Sequence, residues 1–535
     1  MDSDMKYDVA VIGGSLGGVM AAFSAAKENK KVYLCEQSDW IGGQLTSQGV
    51  PPDENKWIEE QGGTATYRGF REAVRAYYRA LPEFDPEVGK TKNFCPGNSW
   101  VSRIAHEPAV SVQLLTEMLK PYTDDGRIVL ELNTVAVAGE VDGDVIRSVT
   151  VKDLVSGEEK LIEAEYFLDG TDCGDLLPLV GAEYRTGAES KAMTGEPEAA
   201  DEADPTDMQA ITWVAALEML PEDSDYVPEK PAMYDEYAAI DVPHCGCKLL
   251  SWFTNKLQGE GVRRLGMFDG EGNDPASKGL WNYRRIIDTP NYTDGRNEVT
   301  LLNWPQNDYW MGNIFDDPDA QEHLNRAREL TLCTVYWLQT EALRPDGKKG
   351  YKVRLRPDIT GTEDGLAKMP YIRESRRIVA KRLITEQEIV RDFAEKPLTV
   401  EDSIGIGHYS MDLHMTTKSH NHFLRKTWPF DIPMSAMIPV RLKNLIPACK
   451  NIGCTHLTGG CYRLHPIEWN NGEVAGYIAA WCMDHSITPA ELLENQLMPF
   501  QNFLTEKGIQ LHWDFSRMEL DNTNQPAGQF KAAHE

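Results

Sequence analysis

The chain has 535 residues, 41% of them hydrophobic, and sets 54 Lys and Arg against 83 Asp and Glu for a formal charge of −29. That length exceeds one core and suits two interleaved domains, and the apolar content excludes a globally disordered chain. The acid excess repels phosphate backbones and anionic lipid, so neither nucleic acid nor a membrane is an expected partner.

In chain order, residues 7–12 read as a short strand, 13–18 as a tight glycine turn, 19–28 as an alanine-rich helix and 31–36 as the next strand, ending on Glu36. Strand, glycine turn, helix, strand and terminal acid open a doubly wound sheet. The uncharged run 9–26 is as long as a membrane span, but four glycines and two serines interrupt it, and a soluble strand, turn and helix explains it. Residues 1–6 lack the pattern of a secretory leader, which makes the cytoplasm the default location. The pattern turns helical over 71–81 and 108–121. Segments 127–139, 144–153 and 159–169 alternate apolar and polar residues between glycine-containing turns, as strands of a meander returning to the main sheet. Residues 187–207 are acidic and small, which marks an exposed loop or a boundary, with a second domain expected to start there. Beyond it, 208–400 is rich in Trp, Tyr, Asn and Pro, with a helix over 318–343 capped by Asp317. Apolar β-like segments follow at 437–440 and 445–447, then a long helix over 466–481. A polar tail after Glu519 is expected to be loosely ordered. The ten cysteines are scattered rather than arranged as a disulfide framework, so most are expected to be reduced.

Chemistry starts at GGSLGG. Gly13 lets the chain leave the strand sharply, the small Ser15 lets the backbone approach a pyrophosphate, and Gly18 lets the helix lie close to the sheet. Gly14 and Gly17 complete the cluster, and the helix start offers free amides and a positive dipole end to phosphates. Ser15 stands where GxGxxG has its middle glycine, so context carries the reading: the flanking strand and helix, and Glu36 eighteen residues after Gly18, placed to bind adenosine ribose hydroxyls. On these residues alone the dinucleotide is NAD or FAD.

After Glu36 and Gln37 comes a loop, QSDWIGGQLTSQG, whose Gly42 and Gly43 permit a close backbone pass beside a large planar group, with Gln44 and Thr46 just beyond. It resembles the glycine-containing loop that runs past the flavin in glutathione-reductase-like flavoproteins. Disulfide reductases of that group carry a cysteine pair next; here no cysteine follows before Cys95, which disfavours a thiol relay. No second strand-linked GxGxxG is present, which disfavours a built-in nicotinamide domain. YFLDGTDCGD, containing Asp169 and Gly170, resembles the turn at which these flavoproteins return to the cofactor, and 444–481, containing Gly472, resembles their C-terminal flavin segment. With PYIRESRRI, DSIGIGHYSMDLH and RxHPxEWxxGExAG, the motifs are similar across most of the chain to FAD-dependent oxidoreductases grouped with xanthan-lyase-like proteins of poorly defined activity. The resemblance implies FAD and an α/β fold. Its doubly wound, Rossmann-like FAD-binding domain is expected over 1–190 and 400–500, with an inserted α+β substrate domain over 200–400 and a C-terminal extension over 501–535.

Pro466 suits the first turn of the last helix, with His465 at its cap. A helix start aimed at the flavin stabilises negative charge on the reduced cofactor. Arg463 adds a full charge there or to an anionic substrate, and His465 has the intrinsic pKa, about 6.5, to take a proton from a substrate hydroxyl. The alternative is structural: His465 orients the helix, and Arg463 pairs with Glu468 or Glu473. His408, Asp412 and His414 lack a zinc spacing, and His244, Cys245 and Cys247 form an incomplete set, so no metal is expected. The segment from His408 to His414 either lines the substrate side of the flavin or packs. Arg373, Arg376 and Arg377 alternate with Glu374 in a pattern of interdomain ion pairs, with binding of a substrate carboxylate or phosphate as the alternative. Trp281, Tyr283, Trp304, Tyr309 and Trp310 form either a wall for a sugar-like ring or an aromatic core. The functional expectation is oxidation of a polar small molecule at C–OH or C–NH by hydride transfer to flavin N5, with an external electron acceptor and homo-oligomerisation left open. A reductase of a polarised double bond and a flavin monooxygenase are the alternatives.

Overall fold

The computed structural model describes residues 6–257, 261–273 and 278–518. Strand β1 (Lys6–Ile12) runs into helix α1 (Leu16–Lys27), and β2 (Val32–Glu36) returns parallel to β1, pairing Val9 with Val32. Ser15 caps α1 by accepting from Gly18 N at 3.2 Å, so the helix begins at Leu16 and takes in half of the expected turn. Helix α2 (Ala65–Ala80) starts earlier than its periodicity indicates, because Thr64 caps it. Helix α3 (Pro108–Asp124) continues through Pro121.

The segment 127–139 is two strands rather than one. It breaks at Asn133, a left-handed residue with φ 53°, into β3 (Ile128–Leu132), which joins the parallel sheet beside β2, and β4 (Thr134–Asp142), which belongs to the antiparallel meander. The meander continues through β5 (Val145–Asp153) to β6 (Glu159–Asp169). The first half of β6 pairs with β5, while its second half, from Glu163 to Asp169, runs parallel to β1.

A second core is built from residues between Met208 and Ile372, joined by Met415. Its sheet has the order β8-β9-β7-β10, from β7 (Ala215–Met219), β8 (Arg285–Ile287), β9 (Val299–Leu302) and β10 (Val353–Leu355). Helix α4 (Ala320–Thr340) lies against it. Its cap is Asp319, not Asp317; the Asp317 carboxylate instead accepts from Asp319 N at 2.8 Å, which delays the helix start.

The chain then returns through two short hairpins, β11 (Ser403–Gly407) with β14 (Phe430–Pro433) and β12 (Met411–Leu413) with β13 (Phe423–Arg425). Strand β15 (Leu445–Pro447) completes the seven-stranded sheet parallel to the end of β6, pairing Pro447 with Asp169. Residues 437–440 form no strand: Met434–Met437 is a 3-10 turn and Val440 is exposed. The last long helix, α5 (His465–His485), buries nearly all its faces and lies along α1.

Residues 187–207 are solvated only in part, with Asp201 and Glu202 exposed. Glu189, Glu196 and Asp207 are buried, and their carboxylates accept from Arg377 Nη2 (2.9 Å), Glu386 N (2.9 Å) and Lys418 N (2.8 Å) respectively. Part of the acid content there reflects internal pairing. Cys245 and Cys247 are joined, and the other eight cysteines are free. The tail after Glu519 lies outside the described residues, among which no helix is long and apolar enough to cross a membrane.

Candidate functional site

Two halves of the chain meet at the β1–α1 turn. Gly13 has φ 93°, and a Cβ there would lie 2.5 Å from Thr171 N; a Cβ on Gly170 would lie 2.5 Å from Gly13 O, and one on Gly18 would overlap that same carbonyl. The glycines therefore hold the turn against the Asp169–Gly170 turn with backbone touching backbone. Gly17 and Gly472 sit where the helices approach most closely. A Cβ on Gly472 would overlap Gly17 O, and one on Gly17 would overlap Ala448 O, so these two let α1, α5 and the end of β15 close on each other.

Glu36 is buried and accepts from Gly14 N (2.9 Å), Ser38 N (3.0 Å) and Ser38 Oγ (2.9 Å); burial nevertheless pushes its carboxyl up to about 7. Gln37 is half-buried. Gly42, at φ 107°, donates its N–H to Gly14 O at 2.7 Å, and Gly43, at φ 49°, brings the loop beside Ser15 and Asp172. Gln44 Nε2 donates to Arg463 O at 3.1 Å and to Glu468, while Gln44 Oε1 is buried and makes no hydrogen bond within the chain. Thr46 Oγ1 closes the loop on Ile41 O at 2.6 Å. Asp169 accepts from Thr171 N (3.0 Å) and Oγ1 (2.7 Å), leaving Oδ2 buried without a partner, and burial pushes this carboxyl up to about 7. Lys450 lies between Asp172 and Glu468. Burial works against its ammonium, but Asp172 and Glu468 outweigh it and hold the charge. A helix start behind left-handed glycines, an acid at the end of β2 and a buried cation suit a dinucleotide, and the unpartnered Gln44 and Asp169 oxygens add acceptors for it, although the Gly14, Gly17 and Gly18 amides are spent on Glu36, Glu468 and Ser15.

Beside this cradle a charged run crosses from the C-terminal half into the inserted core. Arg463 donates to Tyr371 Oη (2.7 Å) and to Asp412 Oδ2 (3.0 Å). Neither acid expected from the sequence is its partner: Glu468 accepts from Gly17 N at 3.1 Å, and Glu473 accepts from Thr66 Oγ1 at 2.6 Å. Asp412 also accepts from Tyr409 Oη (3.0 Å) and stands 3.3 Å from His414 Nε2. The other ring nitrogen of His414 is 2.7 Å from Asp308, which Arg373 reaches at 2.9 Å. Burial works against both carboxylates, but His414 and Arg463 at Asp412, and Arg373 and His414 at Asp308, hold them well below the usual range. The order is Arg463, Asp412, His414, Asp308, Arg373.

His465 is the first residue of α5 rather than its cap, which is Leu464. Its Nδ1 accepts from Asp53 N at 3.0 Å and its Nε2 donates to Val50 O at 3.1 Å, and burial pushes the imidazole down to about 4. Both nitrogens serve backbone, so the ring pins the 50–53 segment to the helix start and keeps no lone pair for a substrate proton. Asp53 in turn pairs with Arg284 at 2.8 and 3.1 Å. His408 sits apart, its ring 5.0 Å from Trp57, and burial pushes it down to about 3. Arg376 and Arg377 make the expected ion pairs, with Asp175 and Asp316 and with Glu189 and Glu374, whereas Arg373 belongs to the charged run. Trp281 is core, its indole N–H on Glu298 at 2.6 Å, and Tyr283 and Trp304 pack edge to face; Trp310 lines a pocket that reaches Asp308.

Three solved structures illustrate how distant the structural likenesses are. OxyS anhydrotetracycline hydroxylase from Streptomyces rimosus is 12% identical over 94% of this chain and 68% of its own, with a TM-score of 0.35. A geranylgeranyl bacteriochlorophyll reductase-like protein from Thermoplasma acidophilum is 11% identical over 95% and 85%, with a TM-score of 0.32. The p-nitrophenol 4-monooxygenase PnpA from Pseudomonas putida is 10% identical over 71% and 70%, with a TM-score of 0.29. At such scores they decide nothing about chemistry, and no curated protein matches the chain. The family model described as FAD dependent oxidoreductase matches residues 8–504, which takes in both halves of the cradle and the charged run: the chain is an enzyme of the FAD dependent oxidoreductase family, with FAD as its cofactor.

Proposed function

We propose that this flavoenzyme oxidises a polar small molecule at a C–OH or C–NH group, with the charged run as its substrate side. The observation that carries the reading is His414 held between two buried carboxylates, each neutralised by its own arginine. The turn Gly13–Gly18, Glu36, the Gly42–Gln44 loop and Lys450 would hold FAD, which when bound supplies a two-electron acceptor at N5. The chain's own share is the proton. As the neutral tautomer, with Nδ1–H on Asp308, His414 takes it from the substrate hydroxyl or amine at Nε2, the nitrogen with the longer 3.3 Å contact to Asp412, as the carbon loses hydride, and Asp308 and Asp412 stay ionised to balance the positive ring. Arg463 and Tyr371 hold the polar atom as negative charge develops on it. Buried donors that make no hydrogen bond within the chain surround the run: Arg463 Nε, Arg373 Nε, Asn303 Nδ2 and Gln209 Nε2. They suit a polar ligand rather than an apolar one.

The test is anaerobic mixing of the purified holoenzyme with a panel of sugars, other polyols and amines, following the visible flavin band. Wild type is bleached by its substrate, and His414→Ala retains FAD while bleaching slows by about 100-fold or more. Wild-type rates in that variant overturn the role of His414. Reoxidation of dithionite-reduced enzyme by an unsaturated compound, with no bleaching by any panel member, reverses the direction of the reaction.

A further inference from the structure

We infer that Cys245 and Cys247 form a thiol–disulfide exchange site whose substrate is an external thiol of the glutathione class. The pair packs on the inserted core rather than in the flavin cradle, and the inference stands whether or not the proposed oxidation does. Of the ten cysteines eight are free, six of them buried, and the one closed pair spans a single residue, Gly246. A disulfide stabilises more the longer the loop it closes, and this loop is at the short end of that scale. Nor does the turn need it. Val242 N donates to Cys247 O and Lys248 Nζ pairs with Asp241 Oδ1, both at 2.8 Å, and Leu249 N donates to Ile240 O at 3.0 Å. The hairpin is therefore held by its own contacts in either redox state, and the bond between the sulphurs is free to open and close.

Backbone and exposure fit that chemistry. His244 and Gly246, at φ 62° and 64°, are left-handed on either side of Cys245, and the turn they make sets the two sulphurs against each other. A non-glycine residue held left-handed costs stability, and such residues gather at functional sites. Cys245 and Cys247 are half-buried between exposed His244, Gly246 and Lys248, so a thiolate from solvent reaches sulphur here, as it does not at the buried cysteines. That thiolate bonds to one Sγ, the S–S bond breaks, and the other Sγ leaves as a thiolate that takes a proton. A second thiol then attacks the mixed disulfide, and the products are the reduced pair and an external disulfide. The reverse reaction uses that external disulfide as the oxidant.

The experiment equilibrates the folded holoenzyme without oxygen in buffers of rising ratio of glutathione to glutathione disulfide, quenches by alkylation, and reads the peptide carrying residues 245–247 by mass spectrometry. The pair is expected to pass from fully closed to fully reduced in one two-electron step within that range, with FAD still bound and still oxidised by its visible band. Cys245→Ser is expected to keep its FAD and melt close to wild type, and to take up one glutathione at Cys247 when given glutathione disulfide. A pair that stays closed until urea is added is a structural staple, and one that stays open in glutathione disulfide alone never forms the bond; either result overturns the inference. So does a pair that opens only after the flavin has been reduced, which would place it in the flavin's own electron path. A Cys245→Ser protein that loses FAD and melts far below wild type overturns the claim that the hairpin stands without the bond.

Discussion

Gly472→Ala tests whether the cradle depends on the direct approach of the two helices. The added Cβ would lie 2.5 Å from both Gly17 C and Gly17 Cα and overlap the Gly17 carbonyl. Ordinary carbon contacts are about 3.5–4.0 Å, so α5 must move away from α1 by roughly 1 Å. Neither side can yield by a rotamer change, since the clash is with backbone and α5 is buried along most of its length. The cost belongs at the upper end of overpacking, about 3 kcal/mol or more. Gly17 also donates to Glu468 on α5 at 3.1 Å, so the shift loosens the α1 start that would face the phosphates of FAD. Gly69→Ala is the control: it sits exposed inside α2, its Cβ would meet nothing within 4 Å, and the change is expected to stabilise by about 0.5–1 kcal/mol. Heating both variants while recording intrinsic flavin fluorescence reports unfolding and release of FAD together. A Gly472→Ala protein that melts with wild type and keeps its flavin as tightly refutes the close-approach argument.

Removal of Asp412 strands Arg463 in a buried site, so Asp412→Asn should cost about 3–5 kcal/mol in urea unfolding, with part of it recovered in Asp412→Asn combined with Arg463→Met. Failure of the second change to restore any stability would falsify the ion-pair account. His465 gives a pH signature. Its folded pKa is lowered to about 4 from an ordinary value of about 6.5, so the stability it confers is complete above the ordinary value and is lost as pH falls through the lowered one. The contribution is at most about 3 kcal/mol by linkage. Unfolding midpoints of His465→Asn should therefore decline less steeply than wild type between these pH values, while its bleaching rate falls far less than that of His414→Ala. A bleaching loss equal to that of His414→Ala restores His465 as the base.

The strand, glycine turn, helix and acid at the N-terminus were legible because each depends on neighbours within thirty residues and on local rules of backbone conformation. The meander and the C-terminal helix were legible from periodicity, with ends displaced wherever a cap such as Ser15, Thr64 or Asp319 decided them. The purpose of Gly472 was not legible, since only the approach of α1 reveals that a side chain has no room there. Arg463 lies 51 residues from Asp412, and His414 lies 106 from Asp308, so the charged run has no sequence spacing to announce it. His408 and His414 look equivalent in sequence, yet one ring packs on Trp57 and the other joins two carboxylates. Composition also misleads at Glu189 and Glu196, because a buried acid with an arginine or amide partner counts the same as a solvated one.

The contact between Gly17 and Glu468 spans 451 residues, and β15 enters the sheet beside β6 only after the whole inserted core has been made. During synthesis, therefore, α1 leaves the ribosome long before the helix that covers it exists. Its apolar face must wait, shielded by chaperones or by provisional packing, until α5 emerges. Flavin capture is then a late event of biogenesis, and chains truncated before residue 465 are expected to reach the cell's quality control without ever holding FAD.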